Sequence, residues 1–332
     1  MQILNFSALE HNALFFKSLL GNSKLCAVVK NNAYGHGIVH IARYLDNIAD
    51  CFAVGSVDEA RKIDFVKGDI IILIPQNYSD TEVAICRGYV LSLDSFATLD
   101  NILNSSVKLG KTARVHIKID SGMSRLGFKY NELDKLTELL KSMPNVSVEG
   151  AYSHFYGENI IDCDKQLSVF LPCVKLIENA LNRPLIKHIA NSGGALLSDK
   201  YHLDMARIGL GLYGYGDIRL APVKTVTANV IAVKTVDGGD AIGYGAKYVA
   251  KENMRIAVLN VGYALGFARS LVDSYIKING KSCKVVAVCM AMIIVDVHDI
   301  DVKVGDKAIL LGGGVDISNN SVSIYELLCN LK

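Results

Sequence analysis

The chain has no tryptophan and only five prolines in 332 residues, and neither scarcity points to a function. Other absences exclude more. Charge is nearly balanced, with 35 lysines and arginines against 33 acidic residues, and no polybasic run occurs. Nucleic acid and anionic membrane surfaces are therefore not expected partners. No apolar stretch approaches the roughly 20 residues of a bilayer-spanning helix. The N-terminus, "MQILNFSALEHN", has no basic segment leading into a long apolar one, so no signal peptide is expected and the protein is read as cytoplasmic. None of the eight cysteines (Cys26, Cys51, Cys86, Cys163, Cys173, Cys283, Cys289, Cys329) forms a C-x-x-C pair, and several sit inside apolar runs such as "CAVV" and "VCMAMIIV". Buried free thiols in a reducing compartment are expected, with neither disulfides nor a metal site.

Hydrophobic residues make up 51% of the chain, enough for a sizeable core. Eight short apolar runs bounded by turn residues precede residue 215: 25–30 "LCAVVK", 51–55 "CFAVG", 69–75 "DIIILIP", 89–94 "YVLSLD", 113–120 "ARVHIKID", 147–154 "VSVEGAYSH", 185–190 "LIKHIA" and 205–212 "MARIGLGL". Between them lie segments such as "YNELDKLTELLKSM" with apolar residues at three- and four-residue spacing. This alternation predicts a (β/α)8 barrel of the TIM type over residues 1–220. A doubly wound open sheet is the rival, disfavoured because no G-x-G-x-x-G follows the first run. After Pro222 the pattern becomes strands separated by Gly, Asp and Asn turns, including an "INGK" hairpin signal. Residues 221–332 are therefore read as an all-β C-terminal domain.

In such a barrel the C-terminal strand ends meet at one face. The first run ends at Lys30. The fifth carries Lys118 and leads to Arg125. The sixth ends at His154, the seventh at Asn191 and Ser192, and the eighth holds Arg207 beside Gly209. Each residue alone is ordinary; together they define a site. A desolvated lysine is a nucleophilic amine that forms a Schiff base with an aldehyde. Tyr34, Ser192 and the glycine-flanked backbone at 208–210 offer donors for a phosphate. Among aldehyde cofactors that carry a phosphate, this set points to pyridoxal 5'-phosphate, PLP. No metal is called for.

The stretches "AVVKNNAYGHG", "KIDSGMSRLGF", "YSHF", "HIANSGG", "ARIGLGLYG", "IGYGAKY", "VGYALGFAR" and "CMAM" follow in the order of the alanine racemase family, PLP-dependent amino-acid racemases of fold type III. The resemblance covers nearly the whole chain. It implies that Lys30 holds PLP and serves as one acid/base group, and that Tyr244 is the second, on the opposite face of the substrate. It further implies a head-to-tail homodimer in which Tyr244 and Met290 enter the partner's site. His154 would lie by the cofactor ring and Arg207 at its pyridine nitrogen. Tyr34, Ser192, Gly209 and Leu210 would hold the phosphate, close to Asn191. Arg125 and the Met290 N–H would bind the substrate carboxylate, Tyr263 would line the inner gate of the channel, and Lys118 matches a lysine often carbamylated. An arginine at the ring nitrogen donates hydrogen bonds but yields no proton, which is expected to weaken the electron sink and limit side reactions.

The chain departs from the family in several places. Leu265 replaces the acid of "GYADG". Ala287 and Ala291 stand where Arg and Asp flank "CMD". Asn159 lies near a usual acid. A less charged channel mouth is expected, which opens the substrate to serine or a longer amino acid. The chain ends about where the family's closing tyrosine would come, so weaker phosphate binding is also expected. The rivals are a non-catalytic PLP-binding protein, disfavoured because that group lacks a C-terminal β-domain, and a decarboxylase of the same fold type, whose "HGxGS" and cysteine signatures are missing.

Overall fold

The computed structural model describes residues 1–315 and 322–331. The chain divides into two compact units, one made of Ser7–Ala33 and Gly37–Ala221, the other of Met1–Phe6, Tyr34–His36 and Pro222–Lys332.

The larger unit is an α/β barrel. Its strands are Lys24–Val28, Cys51–Val54, Asp69–Ile72, Val90–Leu93, Ala113–Lys118, Val146–Tyr152, Ile186–His188 and Met205–Ile208. They form one parallel sheet in which the first seven strands pair in sequence order and the eighth pairs with the first, Cys26 lying opposite Arg207. Between the seventh and eighth strands the Asp204 and Arg207 N–H groups donate to the Lys187 and Ala190 carbonyls, at 3.1 and 3.0 Å. The expected eight-stranded barrel is thus formed. Strands such as "CFAV" and "MARI" are buried at every position, because barrel strands are covered on both faces and need no polar alternation.

Local signals place the intervening helices. Asn77 caps Tyr78–Arg87 by accepting the Asp80 N–H, and Ser95 caps Phe96–Leu109 by accepting the Thr98 N–H; left-handed Gly88 and Gly110 end the two helices. These are the short polar and glycine caps that helix termini favour.

The smaller unit is antiparallel. The 13-residue strand Lys224–Val236 pairs with both Met254–Leu259 and Lys307–Leu311, its register shifting at two points along its length. Ile293–Asp296, Lys281–Val288 and Tyr275–Ile278 complete the circuit. The "INGK" signal makes the expected hairpin between Tyr275–Ile278 and Lys281–Val288, with Asn279 and Gly280 both left-handed at φ 50° and 79°. Gln2–Leu4, which the sequence reading grouped with residues 1–220, pairs instead with Lys224–Val236. A three-residue strand carries too little pattern to announce its sheet.

Cys26, Cys51, Cys163, Cys173 and Cys283 are buried thiols, whereas Cys86 is exposed. Among the described residues no helix is long and apolar enough to cross a membrane, and no cluster of His, Cys, Asp and Glu has metal-binding geometry.

Candidate active site

The first barrel strand stops at Val28, and Lys30 is the first residue of a short helix, Lys30–Gly35. That helix is left-handed: Asn31, Asn32, Ala33, Tyr34 and Gly35 have φ of 53°, 54°, 55°, 52° and 75°. The apolar run read as a strand through Lys30 ends as a strand at Val28, and left-handed backbone begins at Asn31. Left-handed geometry costs roughly 1–2 kcal/mol per non-glycine residue, least for asparagine. Neighbouring bonds hold it in place. The Ala33 N–H donates to the Val29 carbonyl at 2.8 Å, and the Asn32 carbonyl accepts from Gly37 at 3.0 Å. The Asn32 N–H donates to Glu59, and its side chain accepts from Ile38, each at 3.0 Å. Such over-determined strain is a feature of functional sites. Asn31→Val is expected to lower unfolding free energy by about 1–2 kcal/mol, and Asn31→Gly not to lower it, in urea denaturation.

Four cations converge at the barrel mouth. Arg207 is buried on the eighth strand. Its guanidinium donates to His188 Nδ1 at 2.7 Å, to His154 Nδ1 at 3.2 Å and to the carbonyls of Ser153, His188 and Ile189. Among the described residues no carboxylate pairs with it. Arginine only donates, so His188 and His154 accept through Nδ1 and are neutral. Burial first, then Arg207, Arg125, Lys30 and Lys118, pull the His154 pKa down to about 3. Lys118 is buried on the fifth strand, with its ammonium 5.3 Å from the centre of the Tyr152 ring. Burial, then Arg125 and Arg207, bring its pKa to about 8. Arg125 lies exposed at the tip of the loop that leaves that strand.

The seventh strand ends at His188, and Asn191 caps the following helix Ser192–Leu197 by accepting the Gly194 N–H at 2.9 Å. The buried Ser192 hydroxyl accepts the N–H groups of Gly209 and Gly211, each at 3.1 Å. Ser192 and Gly209 are therefore neighbours, with Leu210 next along the chain. A guanidinium without a carboxylate partner among the described residues, neutral imidazoles and a serine at tight backbone turns form a donor set suited to an anionic ligand with a basic ring nitrogen.

The remaining candidates belong to the second unit. Tyr34 is buried, with its ring 5.9 Å from that of Tyr325, and burial raises its hydroxyl pKa well above the usual range. Tyr244 follows Gly243 in a tight turn and is 82% exposed. The Tyr263 and Ala264 N–H groups donate to the Cys289 and Met290 carbonyls at 3.1 and 2.9 Å. A Cβ at Gly262 would collide with both carbonyls, which is why glycine stands there. Tyr263, Leu265, Met290 and Met292 are exposed, as is Ala291. Ala287 was expected at a channel mouth. Instead it is buried with Val236, Ile242 and Met254, beneath the Gly243 turn that carries Tyr244. Asn159, expected beside a missing acid, caps helix Ile160–Leu181.

The sequence reading passed over His116, Tyr152 and His188. His188 Nε2 lies 2.9 Å from His116 Nδ1, and the His188 ring stacks on Tyr152 at 5.0 Å and 7°. Ser92 meets the Tyr152 hydroxyl at 2.6 Å. A signal was available. His116 and Lys118 sit two apart, hence on one face of a strand, and two polar residues on one face of an apolar barrel strand mark a polar interior.

The alanine racemase N-terminal domain model matches residues 4–217 and the alanine racemase C-terminal domain model matches residues 223–332. An alanine racemase of Cutibacterium acnes is 33% identical over 98% of this chain and 92% of its own length. The structure of the alanine racemase of Clostridium difficile 630 superposes with a TM-score of 0.91 at 31% identity, covering 100% of this chain and 93% of that one. An alanine racemase structure from Bartonella henselae with covalently bound pyridoxal phosphate gives 0.85 at 27% identity, covering 94% and 90%. The chain belongs to the alanine racemase family.

Proposed function

We propose that this member of a PLP-dependent racemase family interconverts L- and D-alanine, with Lys30 and Tyr244 as the two acid/base groups. The product would be a cytoplasmic supply of D-alanine for peptidoglycan. The observation that carries the reading is the convergence of Lys30, Lys118, Arg125 and Arg207 around a neutral His154.

Lys30 would hold the cofactor covalently, with Ser192, Gly209, Leu210 and Tyr34 at its phosphate and Asn191 close by. PLP, when bound, supplies the electron sink that makes the substrate α-hydrogen acidic. Arg207 would face the ring nitrogen as a donor that yields no proton in the working range. His154, kept neutral, shields that nitrogen without supplying a proton of its own. Racemisation needs a proton removed on one face of the α-carbon and returned on the other. Lys30 serves one face and Tyr244 the other. Arg125 and the Met290 N–H would fix the substrate carboxylate, and Tyr263 would line its approach.

Lys118 is the lysine for which the resemblance implies a carbamate. Its lowered pKa favours the neutral amine that reacts with carbon dioxide, and the product would be an anion facing Arg125. The exposure of Tyr244, Met290, Met292 and Leu265 supports a homodimer in which Tyr244 and Met290 of one chain complete the other's site. The uncharged Leu265 and Ala291 support a second reading in which serine or a longer amino acid is also accepted.

Purified holoenzyme offered a panel of L-amino acids is expected to form the D enantiomer of alanine fastest, as read by chiral chromatography. No D product from any substrate, with cofactor bound, would return the reading to a non-catalytic binder.

A further inference from the structure

We infer that Gln166 is a positioning residue that ties the Arg125-bearing loop to the His154 segment at the barrel mouth; the inference rests on the racemase reading. Gln166 lies on helix Ile160–Leu181, in the outer layer of the barrel, yet is fully buried. Its amide makes three bonds. Nε2 donates to the Ser121 hydroxyl at 3.2 Å and to the His154 carbonyl at 3.0 Å. Oε1 accepts the Tyr156 N–H at 2.9 Å. The Tyr156 N–H only donates and the His154 carbonyl only accepts, so the orientation of the amide is forced.

The two segments it joins carry different groups of the site. Ser121 is at the base of the loop that presents Arg125, where Asp120 accepts the Gly122 and Ser124 N–H groups, each at 3.0 Å. Residues 154–156 carry His154. Ser121 also meets the Ser153 hydroxyl at 2.7 Å, and the Ser153 carbonyl accepts from Arg207 at 2.7 Å. Gln166 thus brackets this hydroxyl pair from outside and couples the placement of Arg125 to that of His154. None of these three bonds goes to a guanidinium or an imidazole, so its effect is exerted through the loops. A buried amide with three partners is specific in a way that space-filling is not, because each bond lost leaves a desolvated group unpaired.

Two variants test this. Gln166→Leu keeps the volume and removes all three bonds. Hydrogen–deuterium exchange should become at least about tenfold faster in both segments 121–126 and 154–157, with strands Cys51–Val54 and Asp69–Ile72 unchanged. Protection retained in either segment would overturn the inference. Gln166→Glu keeps an oxygen for Tyr156 but donates to the His154 carbonyl only as the acid. Burial raises that carboxyl above its usual ~4.3, so the activity ratio of variant to wild type should fall about tenfold as pH rises from 6 to 9. A constant ratio would contradict a donor role, and it decides the matter should Gln166→Leu fail to fold. An inactive wild type would remove the racemase reading, while the exchange experiment would still judge Gln166.

Discussion

Lys30→Ala is expected to lower kcat/KM for alanine by about 10,000-fold and to abolish covalent retention of PLP, because the proposed mechanism makes one side chain both attachment point and base. The cofactor should then leave on gel filtration, where the wild-type protein retains it. The fold should survive, since Lys30 is only half-buried and the backbone bonds of the left-handed turn do not involve its side chain. The proposed composite site adds a sharper expectation. In a Lys30→Ala and Tyr244→Phe mixture, half of randomly paired dimers are mixed, and each has one intact site. Roughly a quarter of wild-type activity should therefore return. No recovery from re-paired subunits would mean that both residues come from one chain.

How far the sequence reaches depends on what each residue reports. The barrel was legible because its strands are buried on both faces and read as unbroken apolar runs, from "LCAVV" to "MARI". The candidate site was legible at Arg207, His154 and Ser192 because charged and polar residues on or just beyond barrel strands have few other reasons to cluster. The handedness of the turn after Lys30 was not. Asn31 and Asn32 tolerate left-handed geometry without requiring it, and the bonds that select it come from Glu59 and Ile38. Gln166 was hidden for a related reason. Its partners lie on two loops, 10 and 12 positions away on one and 45 on the other, and a glutamine in an amphipathic helix gives no sign of pointing inward. Ala287 was misplaced because family likeness supplies an aligned position, whereas burial depends on what packs above it, here the Gly243 turn.

The second large effect concerns Tyr244. Tyr244→Phe removes one hydroxyl from a side chain that is 82% exposed within its own chain, so folding and cofactor retention should be untouched. Racemisation should fall by about 1,000-fold, the typical contribution of one acid/base group. Lys30 remains, and with it proton transfer on a single face. The measurement that bears most directly on the two-base account is therefore exchange in deuterium oxide, with Tyr244→Phe holoenzyme incubated separately with L- and D-alanine. The account predicts that deuterium enters the α-position of one enantiomer only, with configuration retained and almost no crossover. Deuterium entering both enantiomers alike, or racemisation at the wild-type rate, would contradict it.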